Sequence, residues 1–291
     1  MNGASRTSAA ITVANALSTG IGCAAGIELY AEAQVEVERQ TSDPSSALDI
    51  PASARSPVVE EALRSGLSRY FPEGGVRARL SLVSEIPVAR GLKSSSAVST
   101  AVLLAVARAA GRQPPPLEVG RASAEVGRKV GVSATGALDD ALAGLVPGFI
   151  LTDNPRGELL HRSTADPGWG VALYIPRESH PPSPNLVSAF ASERMAGELV
   201  ADAARDGDWA TAMRLNSDLV ERTMGYAYGE IRARLRAEGA IASGVSGLGP
   251  TLAAIAPFDR LPDLLRVFPA DGARKLIVPF TRSSSIPEEV S

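Results

Sequence analysis

Residues 87–97 read Pro87-Val88-Ala89-Arg90-Gly91-Leu92-Lys93-Ser94-Ser95-Ser96-Ala97. Upstream, Val76, Ala78, Leu80 and Leu82 alternate with Arg77, Arg79 and Ser81, the period-two pattern of a strand with one wet face. Downstream, the sequence predicts a small-residue helix from about Ser95 to Ala110, ended by Gly111 and the prolines Pro114 to Pro116. Between strand and helix, Gly91 lets the backbone turn tightly and approach a ligand. The serines fall on the first helical turn, where amide groups lack intrahelical partners and the helix dipole is positive. Such a turn binds anions, and Lys93 adds a full charge. A serine-rich cap with no ligand has the same local appearance.

Outward from this stretch, Ile27 to Glu38 alternates apolar with mostly acidic residues and reads as a long amphipathic strand. Gln40 to Pro57 reads as an exposed loop and Val58 to Tyr70 as a helix. Further helices are predicted around Glu118–Val130, from Leu138 to before Pro147, and around Ser192–Arg205, Trp209–Thr223 and Gly229–Ala237. Strands are predicted at Gly170–Ile175, Thr251–Ile255 and Leu276–Val278. Strands and helices occur in both halves without a regular βαβ rhythm, so the expected class is α+β, in two domains, 1–150 and 151–291.

The 291 residues are 45% hydrophobic and carry a net charge of -3. Without a basic cluster, a nucleic-acid partner is not expected. No apolar run reaches the length of a membrane span. Ala9 to Leu17 is mildly apolar, but Thr12, Asn15 and Ser18 break the segment and only Arg6 precedes it, so no targeting leader is expected. Cys23, the single cysteine, excludes an internal disulfide and fits a reduced, cytoplasmic setting. It reads as a packing residue, and His161 and His180 stand outside every motif.

The stretch 87–97 resembles the P-x-x-x-G-L-[G/S]-S-S-A loop of the GHMP kinases, with Lys93 at the place of that family's usual second glycine. The Gly-Leu-Lys-Ser-Ser-Ser-Ala form is similar to the archaeal-type shikimate kinases. Ala14 to Leu29 resembles their N-terminal segment, and Ser243 to Thr251 resembles the C-terminal glycine-rich motif of the superfamily. The resemblance implies an N-terminal domain like domain 2 of ribosomal protein S5 and a ferredoxin-like C-terminal domain. It further implies transfer of the γ-phosphoryl of ATP, with Mg²⁺, to the 3-hydroxyl of shikimate, on the route to chorismate and the aromatic amino acids. Another alcohol such as homoserine or mevalonate, or ATP binding without catalysis, are the alternatives.

The same resemblance assigns residues. Pro87, Arg90, Gly91, Leu92, Lys93, Ser94, Ser95, Ser96 and Ala97, with Gly247 and Gly249, would form the nucleotide site. Asp139 would be the catalytic acid/base, with Asp140 as its alternative, and Ser96 and Glu125 would hold the metal. A carboxylate near the acceptor hydroxyl suits phosphoryl transfer, although aspartate at a helix start is also an ordinary cap. Glu125 could equally be an exposed helical residue. Shikimate's carboxylate calls for a cation, for which Arg90, Arg121, Arg128 and Lys129 are candidates.

Overall fold

A computed structural model describes residues 1–40, 46–73, 75–178 and 185–286. The first sheet is organised by strand β2 (Ile21–Arg39). One edge of β2 pairs along its length with β1 (Asn2–Ala14). The other edge is shared: its C-terminal half pairs with β4 (Val76–Ser84), its N-terminal part with β5 (Phe149–Asp153). The short β3 (Ala47–Asp49) runs parallel to β4, and β6 (Glu158–Ser163) closes a hairpin with β5. The alternation at Ile27–Glu38 marks the half of β2 with one wet face. The stretch 40–57 is thus not all loop, because β3 forms within it; residues 41–45 lie outside the described residues.

The helix predicted after the phosphate-loop stretch is α2 (Ser94–Ala109) once α1 (Pro57–Tyr70) is counted. Twelve of the sixteen α2 residues are buried, so it is a central helix with neighbours on most faces. Its alanines permit this close approach. On one side Ser5 and Thr7 of β1 donate to the carbonyls of Ala101 and Ala97 at 2.6 and 2.7 Å. On another, α3 (Pro116–Lys129) meets it through Ser123 and Ser99, whose hydroxyls are 2.6 Å apart. The short α4 (Leu138–Ala143) packs below β1 and β2.

Beyond Ser163 the chain leaves the first sheet. The second sheet has the order β10-β7-β9-β8, formed by β7 (Trp169–Ile175), β8 (Ala242–Val245), β9 (Leu252–Pro257) and β10 (Arg274–Pro279). Between β7 and β8 lie α5 (Leu186–Ser192), α6 (Arg194–Arg205), α7 (Trp209–Met224) and α8 (Gly229–Ala237); α9 (Leu261–Val267) joins β9 to β10. This is the βαββαβ connection of ferredoxin-like folds. The change of sheet therefore falls after Ser163 rather than at residue 150, because the β5–β6 hairpin completes the first sheet. One apolar core runs through both parts: Val171, Leu173 and Ile175 of β7 join it, while Ala172 and Tyr174 face a second cluster with Leu235 and Leu264. No helix among the described residues is long and apolar enough to cross a membrane.

The two parts are tied at Gly26 of β2. Thr281, just past β10, donates its amide to the Gly26 carbonyl at 2.9 Å. A Cβ at Gly26 would lie 2.3 Å from the Ala143 carbonyl oxygen and 2.9 Å from Thr281 Oγ1. A backbone atom cannot yield as a side chain can. Gly26→Val should therefore lower stability by ~2 kcal/mol or more, read as a lower urea midpoint; an unchanged midpoint would show that the strand shifts freely here.

Candidate active site

The loop 87–93 is fixed before any ligand is considered. Leu92 is fully buried beneath it. Gly91 has φ +78°, and a Cβ there would lie 2.0 Å from the Ser246 carbonyl oxygen, so only glycine fits. Ser246 donates its hydroxyl to the Gly91 carbonyl at 2.7 Å. The amide of Thr12 donates to Ser246 Oγ at 3.2 Å, and Thr12 Oγ1 accepts from the Gly247 amide at 2.8 Å. The C-terminal glycine loop therefore lies against the phosphate-loop stretch, with β1 bonded to both its Ser246 and its Gly247. Gly249 sits under the ring of Tyr226, whose hydroxyl donates to the Leu248 carbonyl at 2.8 Å.

The N-terminus of α2 is left without a side-chain cap. Ser56 caps α1 by accepting from the Val59 amide and Asp208 caps α7 by accepting from the Thr211 amide, whereas α3, α4, α6 and α8 share with α2 a start without such a bond, and what sets α2 apart is its surroundings. At α2 the capping position is Lys93, whose side chain has no acceptor. Ala97 donates to the Lys93 carbonyl, and the amides of Ser94, Ser95 and Ser96 precede the first intrahelical bond. The serine hydroxyls and these amides open beside a lysine, an anion cradle by construction. Lys93 itself is in the left-handed region, φ 63° and ψ 31°, where a side chain costs energy that glycine would not.

The Lys93 side chain turns to Asp140. Its Nζ is 3.2 Å from Asp140 Oδ1, an ion pair without hydrogen-bond alignment, and both side chains are nearly buried. Asp139, the next residue on α4, faces the other way. Its carboxylate lies flat on Gly22 of β2, 2.6–2.7 Å from where a Cβ would be, and Oδ1 accepts from Asn154 Nδ2 at 3.0 Å. Asn154 is in turn held: its Oδ1 accepts from the Leu138 amide at 3.2 Å and from Thr152 Oγ1 at 2.8 Å. Burial first, and then the neighbouring Asp140 charge, push the Asp139 carboxyl up to about 7, against the pull of Lys93. Burial also raises Asp140, opposed by Lys93. Cys23, beside Gly22, is buried and its thiol is pushed far up by burial, which leaves it an inert packing group.

Not every expected residue joins this cluster. Glu125 does not: its carboxylate is exposed and pairs with Arg69 of α1 at 3.3 Å, because Ser123 is the α3 residue that meets α2 and Glu125 lies two positions, about 200°, further round. Arg90 is bonded to the end of β7, donating to the Pro176 carbonyl at 3.1 Å and to that of Arg177. Arg121 donates to the Gly157 carbonyl and Lys129 pairs with Glu61. Of the four candidate cations, Arg128 touches the turn into α4, through the Thr135 carbonyl at 3.4 Å. Pro87 is half-buried at the loop entrance, and Ala97 is buried inside the first turn. His161 is exposed on β6; His180 lies outside the described residues.

Sequence reasoning passed over Asn154 and Asn216. Asn154 follows β5, a strand not predicted, and its Asn-Pro pair signals only a turn. Asn216 is fully buried on α7 and accepts from the Asn15 amide at 2.9 Å, tying the β1–β2 turn to the second part of the chain.

Comparison with known proteins agrees with this geometry. The model of the GHMP kinases N terminal domain matches residues 58–148, from α1 through α4. The shikimate kinase of Pyrococcus furiosus is 36% identical over 256 residues, 88% of this chain and 92% of that protein. That of Methanosarcina mazei is 31% identical over 269 residues, 92% and 89% of the two chains. Among solved structures, homoserine kinase from Cytophaga hutchinsonii superposes with a TM-score of 0.70 at 16% identity, covering 97% of this chain and 96% of that one. Mevalonate kinase from Methanococcus jannaschii gives 0.70 at 14%, covering 97% and 99%. The low identities of these two speak for the fold, while the curated relatives carry the lineage over nearly the whole length. The chain belongs to the GHMP kinase superfamily, in the family of the archaeal-type shikimate kinases.

Proposed function

We propose that this protein is a shikimate kinase that moves the γ-phosphoryl of ATP to the 3-hydroxyl of shikimate. The observation that carries the chemistry is the uncapped start of α2 facing a buried acid pair across Lys93. The relatives named shikimate kinase support the acceptor. The triphosphate would rest on the Ser94–Ser96 amides and hydroxyls, roofed by the loop of Gly247 and Gly249. Hard oxygen donors suit Mg²⁺, and the Ser96 hydroxyl with phosphate oxygens would hold it, supplying charge neutralisation; Glu125 is not part of that set. The two units we propose divide by sheet, after Ser163, and the buried single thiol fits a reduced cytoplasmic setting.

Asp139 is the proposed base. A carboxyl raised to about 7 can take the acceptor proton near neutral pH, and Asn154 fixes its orientation. Asp140 holds Lys93 in place until a phosphate competes for the ammonium. Positioning and charge neutralisation then supply most of the acceleration.

An ADP-release assay over shikimate, homoserine and mevalonate should give turnover with shikimate far above the others; preference for homoserine would overturn the acceptor. Asp139→Asn should lower kcat at least ~100-fold with KM for ATP little changed. The same change should stabilise the protein. The folded state holds the Asp139 proton more tightly than the unfolded chain, so stability is lost as pH rises from the ordinary value of 3.8 through about 7. The asparagine variant escapes that loss and should gain on the order of 1 kcal/mol at pH 8, with no gain below pH ~3.8. Lys93→Gly, the superfamily's usual residue, removes the left-handed strain and also the cation. We expect kcat/KM for ATP to fall at least ~10-fold and its acid limb to move to higher pH, since both carboxyls lose the positive charge of Lys93 that lowers them. A lysine with a purely structural part would leave that limb in place.

A further inference from the structure

The second part of the chain contains a cavity that the phosphate-transfer chemistry does not use. It measures ≈ 430 Å³ and lies between α7, α8 and β8; no residue of the loop 87–97 and neither acid of α4 lines it. Three guanidinium groups border it, Arg214 from α7 and Arg232 and Arg236 from α8, against one carboxylate, Asp218. The rest of the lining is small and mostly apolar, including Ala233, Ala240 and Ile241.

The three arginines are not equivalent. Arg232 is nine-tenths buried and built into the wall: Nη1 contacts Asp218 at 2.8 Å and Glu221, and Nη2 donates to the Arg214 carbonyl at 3.1 Å. Its Nε is buried with no hydrogen-bond partner. Arg214 stands 3.7 Å from Asp218, beyond hydrogen-bonding distance. Arg236 is exposed, and its guanidinium has no partner among the described residues. Asp218 and Glu221 together balance two of the three charges. One cation thus remains uncompensated at a concave site with an apolar side, a pairing of fixed charge and hydrophobic wall that suits a small organic anion.

The wall also connects to the glycine loop. Glu221, bonded to Arg232, accepts from Ser217 Oγ at 2.9 Å, and Ser217 accepts from the Val245 amide at 3.0 Å. The other Glu221 oxygen accepts from the Tyr228 amide, and the Tyr228 hydroxyl donates to the Pro250 carbonyl, both at 2.9 Å. Val245 and Pro250 bracket the loop that rests on Gly91.

We propose that this cavity is a second ligand site, taking a small monocarboxylate with an apolar body, and that its occupancy is felt at the nucleotide loop. The inference is independent of which alcohol is phosphorylated. The test uses benzoate as the probe and the full chain, titrated calorimetrically with ADP and shikimate present at saturation. One equivalent should bind, and Arg236→Glu and the cavity-filling Ala233→Trp should each weaken it about tenfold or more. Both variants should keep kcat and KM unchanged without benzoate. Benzoate should shift KM for ATP in the parent protein and not in the variants. The site is refuted by absence of saturable binding at millimolar benzoate or by affinity unchanged in both variants. Inorganic phosphate binding more tightly than benzoate would overturn the apolar part of the assignment, and an unmoved KM would overturn the coupling.

Discussion

Helix α2 is held on most of its faces, and its N-terminus is placed by that packing rather than by a cap of its own. Hydroxyls of Ser5 and Thr7 bind its carbonyls from β1, Ser123 meets Ser99 from α3, and Leu92 anchors the chain just ahead of it. A helix so enclosed cannot tilt or unwind its first turn to satisfy its amides. Those amides stay open at the place where the two sheets meet, with Gly91 pressed on Ser246 from the second part of the chain. The open amides here are a packing consequence: the orphan donors that every helix start has are held beside the second glycine loop and Lys93.

The acid pair shows the opposite economy. Two carboxyls, 4% and 8% exposed, stand on adjacent residues with one ammonium between them and the phosphate loop. Desolvation raises both and the Asp140 charge raises Asp139 further, so a single lysine does not restore ordinary acidity. Lys93, which pairs with Asp140, has a left-handed backbone. Strain, unbalanced charge and burial coincide at one point, and each on its own would be selected against for stability. Their coincidence places a raised carboxyl, an ammonium and an open helix start within one neighbourhood.

Much of the fold was legible because one face of an element was wet. The alternation from Ile27 to Glu38 revealed the outer half of β2, and the stretch Val58 to Tyr70 was read as the helix that is α1. Where both faces are buried the periodic signal vanishes. Eight successive residues from Thr7 to Ala14 of β1 are buried, so the segment showed only as mildly apolar and no strand was predicted there. Strands β5 and β6 went unseen, and with them Asn154 and the true end of the first sheet, because their hairpin signals are short and β5 is buried almost throughout. Glu125 shows another limit: its helix was predicted, but two residues of rotation decide whether a carboxylate faces α2 or Arg69 of α1.

The sequence by itself determined the local chemistry: a glycine turn into a serine-started helix, a second glycine loop, two adjacent aspartates, and hence the superfamily. These are short-range properties, set by backbone freedom at glycine and by unpaired amides at helix starts. Only the tertiary structure decided that Asp140 takes Lys93 while Asp139 backs onto Gly22 and Asn154, that Arg90 belongs to β7, and that Glu125 stands outside. Direction of a side chain depends on what packs against its helix from far along the chain, and desolvation depends on all of it at once, so neither is written in neighbouring residues.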